Sequence, residues 1–256
     1  MTSVELTLSA PVNLRDLGGI ETAAGRVRPG VALRADDLAL VTVDVAASLV
    51  DGGLTAVIDL RTAQEVSVTG RGPLGQQPVA YHHLPLISQF PDRDSKLVSP
   101  QNAAEMGVGY ADMFATASAQ LVSALALIGV NRGTTAFHCS AGKDRTGVLA
   151  AALLLTLGAD DRSIVEDYSA TGPNVASIME RLGPTMGAMF AAMGMNLSTY
   201  SSDAARGTDF SGEAMESMLH TLRARHGDPL QPLRDAGLTD GLVDTLRQRS
   251  LDGSPA

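Results

Sequence analysis

Strand-like and helix-like runs alternate along residues 31–157, and only helical runs follow Asp160. The sequence therefore predicts an α/β fold with a mostly parallel central sheet, flanking helices and a helical C-terminal part. Two further observations agree. Cap and stop residues separate the runs, and hydrophobic residues make up 45% of the chain against 18% charged, enough to bury a sizeable core. The 256 residues read as one domain: an α/β core over 1–174, a helical insertion at about 175–210, and C-terminal helices over 211–256.

In order, "VALRADDL" (31–38) begins as a short strand, and "TVDVAASLVDGG" (42–53) reads as a helix capped by Thr42 and ended by Gly52-Gly53. "TAVIDL" (55–60) is a buried β-branched strand, and Thr62 with Glu65 three residues later makes a capping box for a short helix. "VAYHHLPL" (79–86) gives another strand; its His82 and His83 point to opposite faces and make poor joint metal ligands. Pro85 and Pro91 mark an open loop, "ISQFPDRDSKLVSP". Tyr110, Met113, Phe114, Ala117, Leu121, Leu125 and Ile128 recur at helical spacing and predict one long amphipathic helix.

"TTAFH" (134–138) is the central-strand candidate, and the apolar run 146–157 predicts a buried helix. Seven of the ten methionines lie between Met179 and Met218, with Met186, Met189, Phe190 and Met193 on one helical face. That face suits either an ordinary packing helix or an adaptable apolar cover over a pocket. Three helix-turn units close the chain, punctuated by Gly227, Gly237 and Thr239.

A net charge of -9 argues against wrapping nucleic acid, while leaving room for a local basic pocket. The longest apolar run, "VLAAALLLTLGA", is too short to span a bilayer. The N-terminus lacks the basic-then-apolar pattern of a signal peptide. The expectation is a soluble protein, cytoplasmic or exported without a recognisable signal. A single cysteine excludes an internal disulfide and a multi-thiolate metal site.

That cysteine lies in "HCSAGKDRTG" (138–147), after a strand pattern and before a helix. Ser140, Ala141 and Gly142 let the backbone curl so that successive N–H groups converge. A helix N-terminus at Arg145 or Thr146 adds further unpaired N–H groups, and Lys143 and Arg145 add charge. Residues 140–146 thus form an anion cradle with the Cys139 sulfur at its floor, in a field that favours the thiolate. Such a sulfur can attack phosphorus in line while Arg145 holds equatorial oxygens and the Thr146 hydroxyl supports the sulfur as it departs. His138 suits a loop anchor better than a base.

Rival readings fit less well. An inert core cysteine leaves the Arg six positions later unexplained. A nucleotide P-loop needs Gly at 137 and Ser or Thr at 144, where Phe137 and Asp144 stand. A cysteine protease leaves the basic cradle without purpose.

Cys-x5-Arg-Thr is the signature of the protein tyrosine phosphatase superfamily. With "NLRDLGG" (13–19), "VIDLR" (57–61) and "LRARHGDPLQPLRDAGLTD" (222–240), the chain resembles the bacterial cysteine-dependent tyrosine/lipid phosphatases over nearly its whole length. The resemblance implies a phosphatase-type α/β fold and a helical lid, which favours the cover reading of 175–210. It also implies hydrolysis, without metal or other cofactor, of phosphotyrosine, with tolerance of phosphoserine, phosphothreonine and phosphoinositides. The partners expected are thus phosphorylated proteins or phosphoinositides. A catalytically silent phospho-ligand reader and a rhodanese-like sulfurtransferase are the alternatives; the intact Cys-Arg-Thr set counts against the first, and the Arg-Thr ending against the second.

The leaving oxygen needs a general acid. The chain has no Trp, so the acid loop that follows a Trp-Pro in many relatives is absent. Asp144, inside the cradle, is the favoured acid. Asp59, at a strand end, is placed to orient Arg61 or Arg145 or to serve as the acid itself. Asp92 and Asp94, in the proline-marked loop, fit a solvated turn better. Arg15 and Asp16 read as structural parts of a tight turn.

Overall fold

The computed structural model describes residues 6–88, 102–192 and 211–252. The first half runs β1 (Arg15–Asp16), β2 (Glu21–Thr22), β3 (Gly25–Arg26), β4 (Ala32–Ala35), α1 (Val43–Asp51), β5 (Leu54–Asp59), α2 (Ala63–Thr69) and β6 (Ala80–His83). Then follow α3 (Ala103–Thr116), α4 (Ser118–Val130), β7 (Thr134–His138), α5 (Asp144–Leu157), α6 (Asp161–Ser169) and α7 (Val175–Ala192). The chain closes with α8 (Glu213–His226), α9 (Gln231–Asp235) and α10 (Asp240–Ser250).

The sheet order is β1-β4-β7-β5-β6, with β2 and β3 forming a separate hairpin. β4, β7, β5 and β6 are parallel, and only β1 runs against its neighbour. The expected central strand is central: every residue of β7 is buried. Side-chain alternation divides the core in two. Ile58 and Phe137 face the larger cluster, with α3, α4 and α5; Val57 and Ala136 face the smaller one, with α1. The register pairs Ala35 with His138, His138 with Asp59, and Asp59 with His83. Four parallel strands therefore end level, and the residues just beyond them share one edge, where open α/β sheets bind ligands.

The caps form as expected. Thr42 accepts from Val45 N at 3.3 Å, and Thr62 and Glu65 complete a reciprocal capping box. Two expectations need correction. The single long helix through Ala117 is two helices, α3 and α4, bent by 74°. No Gly or Pro marks the bend. It follows from packing, since α3 lies along α8 whereas α4 meets α10 and α9. Helix α5 also starts earlier than expected, at Asp144, which places that carboxylate in its first turn. No single described helix is long and apolar enough to cross a membrane.

The α3–α8 contact sets a size limit at Gly107. A Cβ there would lie 2.4 Å from Ala214 O and 2.4 Å from Ser217 Cβ. Gly107→Val should cost about 1–3 kcal/mol of stability by overpacking, measured by urea unfolding. An unchanged midpoint would refute that account of the contact.

Candidate active site

Cys139 follows the last residue of β7, and the chain curls over it to reach α5. Carbonyls bond to partners outside the curl. His138 O accepts from Leu60 N at 2.9 Å, Ser140 O accepts from Asp37 N at 2.9 Å, and His138 Nδ1 accepts from Leu38 N at 3.3 Å. Asn13 Nδ2 donates to Ala141 O at 3.4 Å and to Gly142 O at 3.1 Å, where Arg34 Nη2 also donates at 3.0 Å. Lys143 O accepts from Gly147 N at 2.8 Å within α5. A trans peptide holds its C=O and N–H on opposite sides. With the carbonyls outward, the N–H groups that follow them turn inward. Gly142 makes the curl at φ +65, and a Cβ there would meet Ala35 O at 2.5 Å.

Cys139 is 1% exposed and touches the larger apolar cluster, a setting an inert thiol would share. The Thr146 hydroxyl sets it apart, donating to Sγ at 3.1 Å. Arg145 is held in a fork: Nη1 donates to Glu65 Oε2 at 2.6 Å and Nη2 to Oε1 at 2.8 Å. Ser140 Oγ donates to the same Oε1, and Thr62 N to Oε2 at 2.7 Å. Burial pushes the Glu65 pKa up, but Arg145 first, then Ser140 and Thr62, bring it down to about 2. Burial likewise pulls Arg145 down, and Glu65, with the Cys139 sulfur and Asp144, holds it above its ordinary value.

Asp59, expected to orient an arginine or act as the acid, is fully buried and engaged. Arg61 donates to it through its backbone N and its guanidinium, with Nη2 2.6 Å from Oδ2, and Tyr81 O–H donates to Oδ2 at 2.7 Å. Burial raises the Asp59 pKa, but nearby His138 and Arg61 together keep it well below the usual carboxylate range. It therefore orients Arg61, while Arg145 is oriented by Glu65. Arg61 reaches on to Asp37 Oδ2 at 3.0 Å, joining this network to the segment that holds Ser140 O.

Asp144 is the most exposed carboxylate of the cradle, at 38% for its side chain. Its Oδ1 accepts from Tyr110 O–H and lies 3.4 Å from Lys143 Nζ. Asp92 and Asp94 fall outside the described residues. Arg15 bonds Asp167, Asn13 and Thr171, and Asp16 accepts from Gly18 N and Gly30 N, the expected structural parts. His83 Nε2 lies 2.8 Å from Arg61 O, and His82 sits one residue earlier in β6, on the other face. Leu182, Thr185 and Met186 of α7 line a small cavity with Asp37, Arg61, Glu65, Thr69 and Ser140. The side chains of Met189, Phe190 and Met193 lie outside the described part.

Sequence reasoning missed Glu65, which the capping box already explained in full. Its carboxylate serves the α2 cap and Arg145, 80 positions apart, at once. The depressed Glu65 pKa means that its contribution to stability is complete above about pH 4.5 and lost as pH falls toward about 2. Glu65→Gln, which lacks it already, should lose about 3–5 kcal/mol at neutral pH and show a shallower acid limb in urea titrations. Equal stability of the two proteins at neutral pH would contradict this.

Comparison with known proteins agrees with the geometry. The chain matches the tyrosine phosphatase family over residues 6–252. It is 27% identical to the triple specificity protein phosphatase PtpB of Mycobacterium tuberculosis, across 92% of this chain and 95% of that one. It is 30% identical to a Cupriavidus necator protein provisionally named a tyrosine-protein phosphatase, over 64% of this chain and 62% of the relative. With a sulfur, a forked arginine and an inward-facing loop at the end of the central strand, the chain belongs to the tyrosine phosphatase family and is a cysteine-dependent phosphatase.

Proposed function

We propose that Cys139 is the nucleophile, that Ser140 to Arg145 bind the phosphoryl group, and that Asp144 is the general acid. The Cys139 thiolate attacks phosphorus, the ester oxygen leaves with a proton from Asp144, and water then hydrolyses the phosphocysteine, the sulfur departing toward the Thr146 hydroxyl. Arg145 and the inward N–H groups meet the charge on the equatorial oxygens. The observation that most supports this reading is the 3.1 Å hydrogen bond from Thr146 to a sulfur at the foot of a loop whose carbonyls turn outward. Asp59 stays a structural partner of Arg61 in this scheme.

Phosphotyrosine is the first substrate, with phosphoserine, phosphothreonine and phosphoinositides as further ones. The triple specificity of the mycobacterial relative supports that breadth, as do two cations, Lys143 and Arg145, two positions apart at the loop's end. The lid expected over 175–210 extends beyond the described residues after Ala192; the described part, α7, brings Leu182, Thr185 and Met186 against the cradle, and Arg181 Nη1 ties it to Asp36 at 2.6 Å, which supports that reading.

Cys139→Ser should abolish turnover of p-nitrophenyl phosphate while inorganic phosphate still binds. Arg145→Lys keeps the charge but loses the fork, and should lower kcat by about 100-fold or more. Retained turnover in Cys139→Ser would overturn the nucleophile assignment. Assays on phosphotyrosine, phosphoserine and phosphothreonine peptides and on phosphoinositides rank the substrates, and activity confined to phosphotyrosine would overturn the breadth proposed.

A further inference from the structure

Two buried phenols stand behind Asp144. Tyr110 of α3 and Tyr168 of α6 are each 1% exposed, with hydroxyls 3.0 Å apart and rings packed edge to face at 72°. A carboxyl group that carries its proton on Oδ2 offers only lone pairs at Oδ1, so the hydrogen between Tyr110 and Asp144 Oδ1 comes from the phenol. Tyr110 has one hydrogen. Met106 S, 3.1 Å away, is the weaker acceptor for it, and Tyr168 is then the donor to Tyr110. The result is a one-way chain: Tyr168 O–H to Tyr110 O–H to Asp144 Oδ1. Apolar packing alone gives no reason for these hydroxyls, since phenylalanine would fill both places.

We infer that Tyr110, supported by Tyr168, is a positioning residue for the general acid. The inference rests on the assignment of Asp144 to that role. Tyr110 occupies Oδ1, and the transferable proton is left on Oδ2. When sulfur bonds to phosphorus, the ester P–O bond breaks and its electron pair goes to the leaving oxygen, which takes the proton from Oδ2. The negative charge then appearing on the carboxylate is met by the Tyr110 hydroxyl, so the hydrogen bond is stronger in the transition state than before it. In the second step the same carboxylate takes a proton from the attacking water, and the S–P electron pair returns to sulfur. Tyr168 acts one bond further out by polarising the Tyr110 hydroxyl. It also fixes the start of α5, where a Cβ on Gly147 would lie 3.0 Å from its ring.

The test is kcat for a series of aryl phosphates running from good leaving groups (2,4-dinitrophenol) to poor ones (phenol), in the wild type, Asp144→Asn, Tyr110→Phe, Tyr168→Phe and the Tyr110→Phe/Asp144→Asn double variant. Asp144→Asn should slow phenyl phosphate at least 100-fold while nearly sparing the dinitrophenyl ester. Tyr110→Phe should reproduce that selective loss at about tenfold, Tyr168→Phe should show a smaller loss of the same kind, and Tyr110→Phe should add nothing in the Asp144→Asn background. A uniform loss across the series in Tyr110→Phe, or an equal loss with and without Asp144, overturns the positioning role and leaves Tyr110 as packing only. If Asp144→Asn itself leaves the leaving-group dependence unchanged, the acid assignment falls first, and that result is distinct from a failure of Tyr110 alone.

Discussion

The active loop depends on where its carbonyl oxygens point. For N–H groups to converge on one centre, the carbonyls on the other side of each peptide plane must enter protein rather than water. Each buried carbonyl left without a donor would cost about 1–3 kcal/mol. Here the donors come from well separated stretches: Asn13 before β1, Arg34 from β4, Asp37 after β4, and Leu60 after β5. The level ends of the parallel strands bring these donors to one edge. The fold is thus an assembly of donors around an inverted loop, and Gly142 is the point where side-chain bulk would break it.

Charge follows the same plan. A protein of net charge -9 keeps buried arginines close to this sheet edge, and each described one has a carboxylate partner. Arg145 pairs with Glu65, Arg61 with Asp59 and Asp37, Arg181 with Asp36, and Arg34 with Asp167. Such pairs contribute little net stability, because desolvation consumes much of the attraction, but losing one partner is severe. Their value here lies in geometry. Glu65 sets the plane of the Arg145 fork, so in the role proposed for Arg145 less orientational freedom is lost at the transition state.

Much of this was legible in the residues. Strand and helix periodicities, the Thr42 cap and the Thr62–Glu65 box mark local structure, which local chemistry decides. The "HCSAGKDRTG" stretch specified the strand-loop-helix passage around Cys139, and its glycine, small residues and cations led to the anion cradle proposed there. What stayed hidden is long-range. The bend at Ala117 has no breaker residue and comes from helices packing on different partners. Glu65 already had a local explanation, so nothing in its neighbourhood pointed to Arg145. Tyr110 falls on an apolar helical stripe and reads as core, which its ring is; its hydroxyl finds the Asp144 acceptor only once α5 places that carboxyl beside it.

The central claim is that the Cys139 sulfur forms a bond to phosphorus inside this loop. Rapid acid quench during turnover of a phosphotyrosine peptide, followed by peptide mass analysis, tests it most directly. The account predicts a phosphoryl group on the peptide containing Cys139, absent when substrate is omitted. Full turnover with no phosphorylated Cys139 at any quench time, or phosphate on another residue, would contradict it.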